Sequence, residues 1–206
     1  MIAALYVATG GCYFGVPGVD PWDVTRDARA YAGPYPVVAH PPCERWGRYW
    51  SGGPSARQRR TLGDDGGCFA AALAAVHKYG GILEHPEASH AFAAFGLGRP
   101  SKAGGWEVSE RGQGAWVCCV EQGHYGHPAR KATWLYTLNI CKPPALKWGP
   151  SVGTRLDEGF HSRAERLAAR AAGAKPIKRL STAQNLATPP AFRDTLLALA
   201  GWNGTH

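Results

Sequence analysis

Three features of the sequence predict an α/β fold, with a mostly parallel Rossmann-like sheet between flanking helices in a three-layer arrangement. Two short apolar runs stop at prolines: Val37-Val38-Ala39 before His40-Pro41-Pro42, and Ile82-Leu83-Glu84 before His85-Pro86. Between them, residues 66–80 hold the clearest helical period in the chain. Strand, helix and strand at these lengths make a βαβ unit, which implies parallel neighbours and a right-handed crossover. With 206 residues the chain is long enough for one hydrophobic core and short for two. A single α/β catalytic domain is expected. Residues 1–150 supply the core sheet and active site, and residues 151–206 a basic helical extension packed on the core.

The elements read in order as follows. Residues 2–8 are apolar, like a buried first strand. A turn-rich stretch from Thr9 to Pro21 follows, with Gly10, Gly11, Gly15, Pro17 and Gly18. Asp23 to Tyr31 is predicted as a short helix, ended by Gly33-Pro34. In the 66–80 helix, Phe69, Leu73 and Val76 keep the helical period and Gly80-Gly81 ends it. Trp116 to Glu121 and Thr133 to Tyr136 read as two later strands. Residues 162–173 form a basic, alanine-rich helix, and residues 190–200 an amphipathic one with Phe192, Leu196, Leu197 and Leu199.

Composition narrows the function classes. The net charge of +8 suits a polyanionic partner, nucleic acid being the commonest. No apolar run approaches the ~20 residues of a membrane span, and the N-terminus lacks the basic region of a signal peptide. The six cysteines do not have the spacing of a secreted disulfide framework, so a reduced, cytoplasmic protein is expected. There is no CxxC pair, and His124-x-x-His127 lacks a matching ligand pair, so no metal site is predicted.

In parallel α/β sheets ligands bind at the carboxyl ends of strands. Cys43 and Glu84, 41 positions apart, each follow such an end and are expected to converge on one cleft. The cysteine is the candidate nucleophile, with His40 and Arg45 near enough in sequence to lower its pKa from about 8.5. Glu84 can donate or accept a proton if burial raises its pKa. Sulfur attacking carbon while a carboxyl stabilises charge on a ring nitrogen is what addition to an electron-poor heterocycle requires. Trp46, Tyr49 and Trp50, interleaved with Arg45 and Arg48 and followed by Arg57, Arg59 and Arg60, make a candidate stacking and backbone-contacting segment.

These residues carry a resemblance. Pro41-Pro42-Cys43 resembles the Pro-Pro-Cys loop of cytosine-C5 DNA methyltransferases, and Glu84 resembles the family glutamate that contacts the cytosine N3 edge. Tyr125-Gly126-His127-Pro128-Ala129-Arg130-Lys131-Ala132-Thr133-Trp134-Leu135 is similar to a later segment of phage-type relatives in which a basic pair precedes a strand. Ala187 to Phe192 is similar to the start of a closing helix in compact phage homologues. The resemblance spans residues 36–136. It implies a phage- or prophage-encoded enzyme of the bacterial host cytoplasm that acts on DNA with the base flipped into the pocket. It further implies Cys43, Glu84 and Arg130 as catalytic residues, and His40, Pro42, Arg45, Trp46, His85, Tyr125 and Lys131 around the substrate.

The departure from the family lies at the methyl donor. Only 42 residues precede Cys43, and one βαβ passage takes about 30, so room is expected for one crossover rather than two. Thr9, Gly10 and Gly11 are the candidate turn for S-adenosylmethionine, although the turn is not a GxGxxG fingerprint. A one-carbon folate, or no cofactor, stays open. Beside cytosine C5 modification stand two alternatives: a base-excising or base-exchanging transferase whose carboxylate acts at the sugar C1′, and a non-catalytic DNA-binding protein. On a purely structural reading, Cys43 is an ordinary buried cysteine, Glu84 pairs with Arg45 or Arg130, and the tryptophans and basic runs belong to core and solvated surface.

Overall fold

A computed structural model describes residues 1–52, 60–139, 141–153, 163–173 and 180–201. Seven strands form one mixed sheet: β1 (Ile2–Leu5), β2 (Val19–Trp22), β3 (Val37–Ala39), β4 (Gly81–Pro86), β5 (Glu107–Val108), β6 (Ala115–Glu121) and β7 (Ala132–Leu138). Their spatial order is β2-β1-β3-β4-β7-β6-β5. The first four strands are parallel, while β7 is antiparallel to both β4 and β6, and β5 to β6. Five of the seven strands therefore run in one direction. The carboxyl ends of β3, β4 and β6 lie at one end of the sheet.

Helices cover both faces. Helix α1 (Cys68–Tyr79) crosses from β3 to β4. Phe69, Leu73 and Val76 pack with Leu5, Val37, Leu83, Val117 and Tyr136 on one face, where the short α2 (His90–Ala94) adds Phe92. The other face carries Ala4, Val38, Ile82, Cys118 and Leu135 under α5 (Pro190–Ala200), through Phe192, Leu196 and Leu199. Pro190 at the first turn of α5 costs no hydrogen bond there. Successive strand residues alternate between the two clusters, as a period of two requires. Fully burying each large side chain stabilises by roughly 1.5–3 kcal/mol. Two further helices, α3 (Arg163–Ala171) and α4 (Thr182–Leu186), precede α5.

The ends of α1 have local causes. Asp65 accepts hydrogen bonds from the Gly67 and Phe69 amides, at 2.9 and 2.8 Å, satisfying donors the helix leaves unpaired. At the other end the Gly81 φ is +114°, and a Cβ there would collide with the Val37 carbonyl oxygen. Only glycine permits β4 to start against β3 at this point.

Several expectations are corrected. The stretch Asp23 to Tyr31 holds only a 3-10 turn, Ala28–Ala30, capped by Asp27. The Asp23 carboxylate instead closes a turn on Thr25 and bonds Thr9. Two parallel passages, not one, fit before Cys43: β1 to β2 and β2 to β3 are joined by residues 6–18 and 23–36 with no α-helix in either. Loops need fewer residues than helices, which is how the short chain accommodates both. The strand β2 begins inside the stretch read from the sequence as turns, and β5 lies where the sequence reading placed no element. Arg57, Arg59, Lys175, Lys178 and Arg179 lie outside the described residues, as do the side chains of Arg163 and Arg166.

Trp46 is a core residue rather than a stacking platform. It is 8% exposed, packs against Phe69 and Phe95, and donates its indole hydrogen to Asp65 at 2.8 Å. Tyr49, by contrast, is 59% exposed. Trp46→Ala should therefore cost about 3–5 kcal/mol in urea unfolding, and Tyr49→Ala no more than about 0.5 kcal/mol. Equal small losses would return Trp46 to the surface.

Candidate active site

Strand parity builds the site. On the face covered by α5, Val38 is followed two residues later by His40, Ile82 by Glu84, and Val120 by Gln122, while Thr133 precedes Leu135. Pairing of Glu84 with Leu135 and of Val120 with Thr133 sets these side chains side by side at the carboxyl end of the sheet. They form one hydrogen-bonded chain. Glu84 Oε2 lies 2.9 Å from His40 Nδ1, and His40 Nε2 lies 2.8 Å from the Tyr13 hydroxyl. Gln122 Nε2 donates to Glu84 Oε1 at 3.2 Å and to Thr133 Oγ1 at 3.0 Å. These bonds fit an imidazole that donates from Nδ1 to the carboxylate and accepts the Tyr13 hydrogen at Nε2. Tyr13 comes from the loop after β1, which Arg193 of α5 fastens through the Cys12 carbonyl at 2.6 Å.

The electrostatics differ from expectation. Burial works to raise the Glu84 pKa, but the His40 hydrogen bond and the positive charge of Lys131 oppose it, and the group lies at about 2. Glu84 is thus an ionised, oriented carboxylate with its side chain 12% exposed, rather than a carboxyl raised by burial. Its partner is His40, not Arg45 or Arg130. The Cys43 thiol is pushed up, first by burial and then by the negative charge of Glu84, while Lys131 pulls it partly back. Cys43, half-buried, and Glu84 therefore share one electrostatic environment in which each disfavours the other's negative charge. Tyr13 is held well above the ordinary tyrosine range, by burial first and then by Cys12 and Glu84.

The other named residues sort by location. Lys131 is the cation coupled to Cys43 and Glu84, and its ammonium also faces the Leu186 and Ala187 carbonyls at 3.5 and 3.3 Å. Arg130 is held by Glu121, with Nε and Nη2 each 3.0 Å from a carboxylate oxygen. Glu121 shares the face of Cys119 and Trp134, opposite that of Glu84. His85 is fully buried on that opposite face. It bonds Ser89 at 2.6 Å and packs on Phe69 under the Pro41-Pro42 backbone, and burial lowers its pKa to about 4. It supports the Cys43 loop from below and does not line a substrate cleft. Pro42 is exposed beside Cys43. Arg45 is half-buried and its carbonyl accepts the Gly63 amide. Tyr125 packs on Phe192 and accepts the Lys147 amide, so it belongs to the α5 interface. His124 and His127 bond backbone carbonyls.

The cofactor turn fits its expected ligand poorly. Gly11 makes a tight turn on Ala8, and Gly10, at φ +65°, has open space around it. Thr9, however, is bonded to Asp23 at 2.6 Å, and no helix starts at this turn, so its amides lack the converging dipole that anchors anionic or nucleotide groups. The carboxylates at the end of β2 are engaged as well, Asp20 by Trp22 and Arg26 and Asp23 by Thr9 and Thr25. The residues present do not build a cradle for S-adenosylmethionine, and no step below is routed through it.

Sequence reasoning missed Tyr13, Gln122 and Thr133. Gln122 and Thr133 had a signal, since each continues the parity of an apolar strand position. Tyr13 had none, because a loop carries no period.

Two outcomes follow. Because the folded pKa of Glu84 lies below its ordinary 4.5, its contribution to stability is complete above that pH and is lost as pH falls toward 2. Glu84→Gln should flatten the pH dependence of urea unfolding across this window by an amount on the order of 3 kcal/mol; parallel curves would mean no such pair forms. Alkylation of Cys43 by iodoacetamide, followed by peptide mapping, should be slow near neutral pH, faster in Glu84→Gln and slower in Lys131→Met. Unchanged rates in both variants would separate the three groups in space.

No family model, no curated protein and no solved structure matches this chain.

Proposed function

We propose that this protein modifies a pyrimidine base of DNA, cytosine at C5, by covalent addition of Cys43 to C6. The observation that supports the reading is the coupling of the Cys43 thiol and the Glu84 carboxylate at one end of the sheet. Glu84 is ionised and the Cys43 thiol is protonated, so between them the two groups hold one proton. Moving that proton from sulfur to carboxylate yields a thiolate and a carboxyl group, the two forms the addition needs. The base brings its N3 edge to Glu84. Sulfur then forms a bond to C6, the ring electrons shift, and N3 takes the Glu84 proton. C5, now electron-rich, accepts an electrophile. Loss of the C5 proton to solvent water and departure of sulfur as thiolate restore the ring, and N3 returns its proton to Glu84. Lys131, rather than Arg130, supplies the positive charge that offsets the thiolate and carboxylate in this scheme.

A flipped base costs a few kcal/mol to extrude. With Trp46 in the core, exposed Tyr49 and half-buried Trp50, on the segment after Cys43, are the aromatic side chains of that segment left to offset the cost by stacking.

The addition step is testable without any donor. In D2O, C5 of the adduct takes deuterium from solvent and loses its proton on elimination. DNA incubated with the protein should therefore accumulate deuterium at cytosine C5, seen by mass spectrometry of its nucleosides, and Cys43→Ala should abolish this. Absence of exchange with the wild-type protein would remove the proposal.

One observation favours a second reading. Glu84 is held ionised while the thiol is held protonated, which suits a carboxylate acting at the sugar C1′ of a base-excising or base-exchanging enzyme. Release of free base by Cys43→Ala protein, and none by Glu84→Gln, would select it.

A further inference from the structure

A second charged site lies at the same end of the sheet, on the face opposite Glu84. Glu87, its side chain only 8% exposed, receives Lys102 at 2.8 Å on one oxygen and Arg48 at 3.2 Å on the other. Those two cations are 64% and 41% exposed. Beside them Glu121, 10% exposed, holds Arg130 and is held by the Ser151 amide and hydroxyl at 2.6 and 2.8 Å. The two clusters are stitched together where the Glu87 amide donates to the Ala132 carbonyl at 3.0 Å. Between Lys102 and Arg130 opens a cavity of about 220 Å³, walled by Cys119, Glu121, Ala132 and Gly149. At ~30 Å³ per water, it has room for a phosphate and part of its sugar.

The burial pattern gives the arrangement its direction. The carboxylates are recessed while Lys102 and Arg48 stand outward and Arg130 is one quarter exposed, so the anions hold the basic side chains in place with positive charge toward solvent. Position matters as much as charge. Ala132 pairs one ladder step beyond Thr133, itself opposite Pro86, so the cavity lies about three residues past Glu84, on the order of 10 Å along the strand. A strand running across the sheet end from the Cys43 site passes over this cavity.

We propose that the cavity between Lys102 and Arg130, with Arg48 at its rim, binds a backbone phosphate of the nucleotide flanking the target base. The substrate is accordingly a DNA strand and not a free nucleotide. The inference rests on the proposed base chemistry only in naming DNA as the partner. Phosphate contacts of this kind position a strand without reading its sequence.

The test is fluorescence anisotropy of a labelled short single-stranded oligodeoxynucleotide across a salt series, with deoxycytidine monophosphate as unlabelled competitor. Lys102→Ala and Arg48→Ala should each weaken binding several-fold and lower the slope of log affinity against log salt by about 0.7, the value for one lost phosphate contact on a single strand. Lys102→Arg should restore both. Lys78→Ala, at the last turn of α1 and the other end of the sheet, should change neither. Wild-type slopes in both Lys102→Ala and Arg48→Ala would overturn the site. So would monophosphate binding that depends on Lys102 as strongly as oligonucleotide binding does. Cys43→Ala protein should keep the full salt slope, so a failure of the base chemistry and a failure of the phosphate site give different results.

Discussion

The carboxylate of Glu84 organises the end of the sheet. An ionised group with so little exposure is tolerated only where donors replace the lost water, and here three elements supply them: β3 through His40, the end of β6 through Gln122, and the loop after β1 through Tyr13 behind His40. Each bond also fixes a piece of backbone. The first loop is drawn over the site by Tyr13, and the C-terminal helix is tied to that loop by Arg193. Elements far apart in sequence thus meet at one small anion. Lys131 completes the balance at the mouth of the site.

The costs of this arrangement bear on its meaning. A buried ion pair is weak support for a fold, because an apolar residue of similar volume is often as stabilising or more so. The surrounding face is apolar, with Val38, Ile82, Val120 and Leu135 leading directly to the polar cluster. Nothing in the packing of α5 on the sheet requires a glutamate, a histidine and a glutamine at the next turn of the pleat. Strongly shifted groups that converge without a structural need are the usual physical signature of a functional site.

Much of the fold was legible because it rests on periodicity. The strands β3, β4, β6 and β7 and the helices α1 and α5 all carry apolar residues at the period their structure imposes, and proline or glycine ends several of them. That Cys43 and Glu84 both follow strand carboxyl ends at one end of the sheet followed from the βαβ rule alone. What sequence reading missed has equally physical causes. The strand β2, Val-Asp-Pro-Trp, has no alternation and contains a proline, so its place beside β1 is set by tertiary pairing. The sequence distance between Tyr13 and His40 conceals their contact. The roles of Arg130 and Lys131 could have been told apart by parity. Counting back by twos from Leu135 gives Thr133 and then Lys131, on the face of Glu84, whereas Arg130 falls on the other. Charge and proximity to a motif favoured the arginine; the pleat favoured its neighbour.

That same parity explains how one short segment can serve two purposes. Adjacent residues at a strand entrance point to opposite faces, so Arg130 and Lys131 serve opposite sides of the sheet while sharing one stretch of backbone. Lys131 enters the electrostatic field of Cys43 and Glu84, and Arg130 borders the cavity anchored on Glu121. A displacement of this stretch would move both cations together. In the proposed enzyme, the grip on the strand and the charge balance at the reacting base would then be coupled by covalent geometry, and β7, bonded to β4 on one side and β6 on the other, is the rigid element able to hold that register.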